Sequence, residues 1–84
     1  MKIKLKLYAT LSDHLPDEAR KTNSLELDLV PGTTPAKVIE SRNLPHKLCH
    51  LVLVDGVFIP PAERGRRVLK EGETLAIWPP IAGG

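Results

Sequence analysis

The residues that could do chemistry in this 84-residue chain fall in three places. The first is the closing stretch "PPIAGG", Pro79 to Gly84, which would carry a free carboxylate on Gly84. A carboxylate is a poor electrophile until it becomes an acyl-adenylate, and an enzyme that makes one must close a narrow, water-free site around the terminal atoms. Gly83 and Gly84 have no Cβ, so backbone ending in them can lie extended in a tight tunnel with its last carbonyl open to attack. Pro79 and Pro80 have fixed φ and favour polyproline II, which holds the segment away from the body. Six extended residues span roughly 20 Å, enough to reach a buried site in a partner. On this reading Gly84 is the reacting residue, and Gly83, Ala82, Ile81, Pro80 and Pro79 are the residues a partner grips.

The second place is His46, Cys49 and His50, spaced i, i+3, i+4 as metal ligands on one helical turn would be. Three local ligands with no second cluster do not complete a site, so a buried thiol beside two ordinary histidines is the favoured reading and no metal is expected. A nucleophilic Cys49 would need exposure and an activating cation, and its neighbours Leu48 and Leu51 argue against exposure. The third place is Arg64, Arg66, Arg67 and Lys70, the one basic cluster. It sits in a loop without interleaved aromatics, so a solvated surface is the default over RNA binding, with docking to an acidic protein surface as a middle option. No Ser/His/Asp set, paired carboxylates or phosphate-binding glycine loop is present, so no catalysis by the chain alone is expected.

Bulk properties narrow the class. A chain of this length forms one domain with one modest core. Its 42% hydrophobic and 26% charged residues are ordinary for a globular protein, and its longest apolar run, near Leu51 to Val54, is too short to span a bilayer. The start, "MKIKLKLYAT", alternates charged and apolar residues where a signal peptide would be continuously apolar, and the single cysteine fits a reducing compartment, so a cytoplasmic location is expected. A net charge of +2 falls well short of the basic balance of a nucleic-acid binder.

The elements that must position the tail are legible from periodicity. "KIKLKLY" alternates, with Ile3, Leu5 and Leu7 inward and three lysines outward; "SLELDLV" sets Leu25, Leu27 and Leu29 inward and Glu26 and Asp28 outward. An antiparallel pairing of the two would place carboxylates against lysines. The stretch between them has room for a short helical turn, but Pro16 disfavours helix at Leu15 and the polar remainder reads as loop. Thr34 can cap a helix from Pro35 to about Arg42, with Val38, Ile39 and Leu44 on its apolar side. "LVLVDGVFI" reads as two short strands around Asp55-Gly56, and a turn at Glu71-Gly72 leads to a last strand from Thr74 to Trp78. The order β-β-α-β-β-β predicts an α+β fold, the ubiquitin-like β-grasp, with a mixed sheet of about five strands and one main helix across it. Residues 1–78 form the body and 79–84 the tail. If Leu75 and Ile77 face the core, Trp78 lies on the outer face at the root of the tail, as a docking anchor or packed under a loop. Phe58 and Ile59, just before Pro60-Pro61, pose the same choice, with core packing favoured, and Phe58 stands with Trp78 as a candidate docking residue.

The stretch Leu69 to Gly84, "LKEGETLAIWPPIAGG", resembles the C-terminal signature of the MoaD/ThiS sulfur carriers, and "LVLVDG" and Pro31 to Glu40 resemble their central strand and helix start. The resemblance implies a carrier that binds no cofactor itself. A ubiquitin-activating-type adenylyltransferase would use ATP and magnesium to adenylate Gly84, and a sulfur donor would convert the adenylate to a thiocarboxylate. The sulfur would pass to an acceptor enzyme, for the MoaD branch the large subunit of molybdopterin synthase. The diproline favours that branch over thiamine-type carriers. Glu73 stands where the family often has aspartate and Trp78 where phenylalanine is commoner, and "LSDHLPDEAR" lacks the arginine-rich first helix of the molybdopterin carriers. "LPHKL", Leu44 to Leu48, resembles ubiquitin-like modules fused to nuclease-like domains, which generally lack a terminal Gly-Gly. Two other readings stay open: a ubiquitin-like modifier joined to lysines, and a β-grasp binding module that carries nothing.

Overall fold

The computed structural model describes residues 1–80. Strand β1 (Lys2–Leu7) leads through a 3-10 turn (Ala9–His14) and a one-turn helix α1 (Asp17–Arg20) to β2 (Ser24–Asp28). Helix α2 (Pro35–Ser41), a 3-10 turn (His46–Leu48), β3 (Leu51–Val54), β4 (Val57–Phe58), a further 3-10 turn (Pro61–Glu63) and β5 (Thr74–Trp78) complete the order. The strands form one sheet in the order β2-β1-β5-β3-β4. β1 and β5 run parallel and the other pairs antiparallel, so the sheet is mixed, as expected.

Alternation in β1 does what the pattern dictates: Ile3, Leu5 and Leu7 are buried while Lys2 and Lys4 face solvent. Lys2 stands opposite Asp28 and Lys4 opposite Glu26, and the Lys2 ammonium lies 3.7 Å from Glu26. Such exposed pairs contribute about 0–1 kcal/mol, so they select register more than they stabilise. Leu25, Leu27 and Leu29 point inward but are only partly buried, because β2 is an edge strand with a neighbour on one side.

Helix α2 starts where the sequence places it. Thr34 is its N-cap, its hydroxyl accepting from the Lys37 amide at 3.3 Å, and Pro35 occupies the first turn. Val38, Ile39 and Leu44 join Val52, Val54, Leu75 and Ile77 in the core that helix and sheet enclose, with Leu11, Leu15, Ile59 and Leu69 sealing its margins. The β3–β4 turn has positive φ at Asp55 (48°) and Gly56 (81°), the geometry a two-residue hairpin demands. Asp55 also ties the hairpin to β5, its carboxylate accepting from the Thr74 amide at 2.8 Å. In the first connection, the 3-10 turn stops at an extended Leu15 (ψ 152°), as the following proline requires. Asp17–Arg20, read as loop from its polarity, is helical: Asp17 and Glu18 suit a helix N-terminus and the Arg20 Nε donates to the Leu15 carbonyl at 3.2 Å. Among the described residues, no helix is long and apolar enough to cross a membrane.

Candidate functional site: the root of the C-terminal segment

The tail candidates attach to the centre of the sheet. β5 lies between β1 and β3 and is bonded on one side as far as Ile77, whose carbonyl accepts from the Tyr8 N–H (3.2 Å), and on the other as far as Trp78, whose carbonyl accepts from the His50 N–H (3.1 Å). Pro79 has no N–H and cannot extend the ladder, so pairing stops there for a covalent reason. Pro79 is half-buried and Pro80 exposed. Ile81, Ala82, Gly83 and Gly84 lie outside the described residues.

Burial of Leu75 and Ile77 in the core puts Trp78 on the outer face, opposite Leu51. Trp78 is half-buried, and what covers it is a ring: Tyr8 stacks on it with centroids 4.2 Å apart and planes at 4°. Register places Ala76, Leu53 and Phe58 side by side on the same face. Phe58 is 48% exposed, so core packing is not its fate; Ile59, 7% exposed, is the member of that pair that enters the core. The outer face beside the tail root is therefore an apolar strip of Tyr8, Trp78, Leu51, Leu53 and Phe58, with the β1 lysines along one side. Tyr8 was not singled out from sequence. The signal was there, since Tyr8 continues the outward alternation of Lys2, Lys4 and Lys6 by one step.

The basic cluster is not a uniform solvated surface. The Arg64 guanidinium donates to three backbone carbonyls, and Arg67 forms a two-pronged pair with Glu73 at 3.0 and 2.6 Å. The Arg67 prong and the Lys70 amide hold the Glu73 carboxyl below its usual range, and the same pair raises Arg67. Arg66 and Lys70 remain exposed. Cys49 is 5% exposed, and burial pushes its thiol up against a smaller opposing effect of the Arg64 charge. It lines a cavity of about 170 Å³ with His46 and Arg64, but both histidines of the supposed triplet are exposed, and among the described residues no group of three or more His, Cys, Asp or Glu could hold a metal ion.

A central parallel pair, one helix across a mixed sheet, and a C-terminal segment leaving the central strand define a ubiquitin-like β-grasp protein. Within that class, the chain belongs to the Mut7-C ubiquitin family, whose model matches residues 1–82. The matched stretch ends at Ala82, short of the two glycines. Similar solved structures include SAMP1 from Haloferax volcanii, with a TM-score of 0.70 at 18% identity over 100% of both chains. The Haloferax volcanii HVO 2177 protein gives 0.74 at 22% identity, over 100% of this chain and 87% of that one. A Pyrococcus furiosus protein assigned as molybdopterin converting factor subunit 1 gives 0.68 at 18% identity, over 96% and 99%. At these identities the likeness establishes the fold. No curated protein matches the sequence.

Proposed function

We propose that this protein is a sulfur carrier whose C-terminal Gly84 is adenylated by a ubiquitin-activating-type enzyme and then converted to a thiocarboxylate for cofactor biosynthesis, with molybdopterin synthesis as the first pathway to test. The carrying observation is that the central strand, held by β1 as far as Ile77 and by His50 at Trp78, runs directly into the Pro79-Pro80 stop that precedes the diglycine. The body then serves as a rigid handle. The apolar strip of Tyr8, Trp78 and Phe58 is the surface on which the activating enzyme and the sulfur acceptor dock in turn. The fold likeness to the Pyrococcus furiosus protein supports the molybdopterin branch. ATP and magnesium belong to the activating partner, and this chain acts as its co-substrate.

The chemistry fixes the test. Adenylation makes the Gly84 carbonyl an electrophile with AMP as leaving group; a sulfur nucleophile expels AMP and leaves a thiocarboxylate. Intact mass is measured after incubation with ATP, magnesium, such an adenylyltransferase and a sulfide source. Exchange of one oxygen for sulfur supports the carrier. A covalent ladder with other proteins would mean that a lysine amine takes the adenylate instead and the chain is a modifier, and an unchanged mass would leave a β-grasp binding module.

A further inference from the structure

Arg64, expected from sequence to be a surface cation, has a more specific placement. Its Nε donates to the Ile59 carbonyl at 3.1 Å, one terminal nitrogen to the Cys49 carbonyl at 2.9 Å and the other to the His50 carbonyl at 3.0 Å. Its own carbonyl accepts from the Ala36 amide in the first turn of α2 at 2.9 Å. One residue thereby joins the start of α2, the approach to β3 and the residue after β4. The consequence lies one bond further on. His50 is gripped by Arg64 through its C=O, and through its N–H it holds the Trp78 carbonyl, the last ladder bond of β5 before Pro79.

We infer that Arg64 is a positioning residue for the C-terminal segment: by fixing His50 it fixes Trp78, and with it the direction in which Pro79 and Pro80 leave the sheet. The inference rests on the carrier reading for its functional consequence. Trp78 has two holds, the Tyr8 ring on its side chain and His50 on its backbone, and Arg64 governs the second. Lysine cannot replace it, because a single ammonium on a flexible stem cannot reach three carbonyls that a planar fork reaches at once. A looser root leaves the segment to be ordered when the partner binds, which weakens binding and leaves the chemical step alone.

The test compares the full chain with Arg64→Lys and with Arg66→Lys, an exposed control two residues on. In Arg64→Lys the His50 amide should exchange with solvent about tenfold faster while amides of β1 and β2 keep their rates. In ATP–pyrophosphate exchange with an adenylyltransferase, KM for Arg64→Lys should rise about fivefold at unchanged kcat. Arg66→Lys should match the parent in both. Parental His50 exchange and KM in Arg64→Lys, or an acceleration spread evenly over all strands, would overturn the inference; the even spread would mark Arg64 as a stabiliser only. Should Arg64→Lys not fold, the parent protein decides: the Arg64 Nε–H must exchange more slowly than that of Arg66, and equal rates refute the placement. If the parent is not adenylated at all, the carrier reading fails, and the exchange comparison still judges the role of Arg64.

Discussion

Replacing Glu73 by glutamine removes the acidic half of the clamp that closes the turn before β5. The Glu73 carboxylate accepts from both terminal nitrogens of Arg67 and from the Lys70 amide at 2.7 Å. Glutamine offers one carbonyl oxygen, which can keep the Lys70 bond and one Arg67 donor, and it turns its NH2 towards the other N–H. One charge-assisted bond is lost and one donor is left facing a donor. A net value of about 1.5–3 kcal/mol per charge-assisted bond, lowered because Arg67 is partly exposed, gives a loss of about 2 kcal/mol. For a domain of this size that is about 10 °C in Tm. The pH dependence follows from the lowered Glu73 pKa: its folded value lies below the unfolded one, so its contribution is fully present above the unfolded pKa and disappears as pH falls through the folded value. The gap between parent and Glu73→Gln should therefore be full at neutral pH and narrow below about pH 4. Trp78 is the only tryptophan, so urea unfolding followed by its emission reads both proteins directly. Equal stability at neutral pH, or a gap that persists undiminished in acid, would show that the Glu73 carboxylate does not close this turn.

Thr34→Ala should cost about 1 kcal/mol in the same assay, while Thr34→Ser should restore most of it, because the lost element is the hydroxyl cap on the Lys37 amide. The Cys49 thiol, buried and with its pKa raised, should react with an aromatic disulfide reagent at neutral pH about 100-fold more slowly in the native protein than in urea; a fast native reaction would contradict its placement. Tyr8→Ala and Trp78→Ala should each raise the KM for adenylation about tenfold at unchanged kcat. Because the rings stack, the double variant should lose less than the product of the two, and strictly multiplicative effects would show that the rings act independently.

Much of the fold could be read from periodicity because it is local. The alternation of β1 and β2, the Asp55-Gly56 turn and the Thr34-Pro35 helix start are each decided within a few residues. What was missed is decided at long range or by a competing preference. Helix α1 hides in a polar stretch because its support is an arginine reaching back to the Leu15 carbonyl. Phe58 is apolar enough for a core, but its place on the outermost strand, in register with Leu53, decides its exposure. Arg64 and Arg67 look alike in sequence, yet one serves backbone carbonyls of the two residues before β3 and of the residue after β4, and the other a carboxylate six residues on. At the site, the outward face of Trp78 followed from β5 alternation, but its stacking partner is set by the parallel β1–β5 pairing, which no local pattern announces.

The carrier reading stands or falls on the last residue. Parent protein and a variant lacking Gly84 are incubated side by side with ATP, magnesium, a ubiquitin-activating-type adenylyltransferase and sulfide, and weighed intact after both are shown to unfold with the same midpoint. The parent should gain the mass of one oxygen-for-sulfur exchange and the truncated chain should gain nothing. A parent that stays unmodified, or a truncated chain modified as efficiently as the parent, would contradict it.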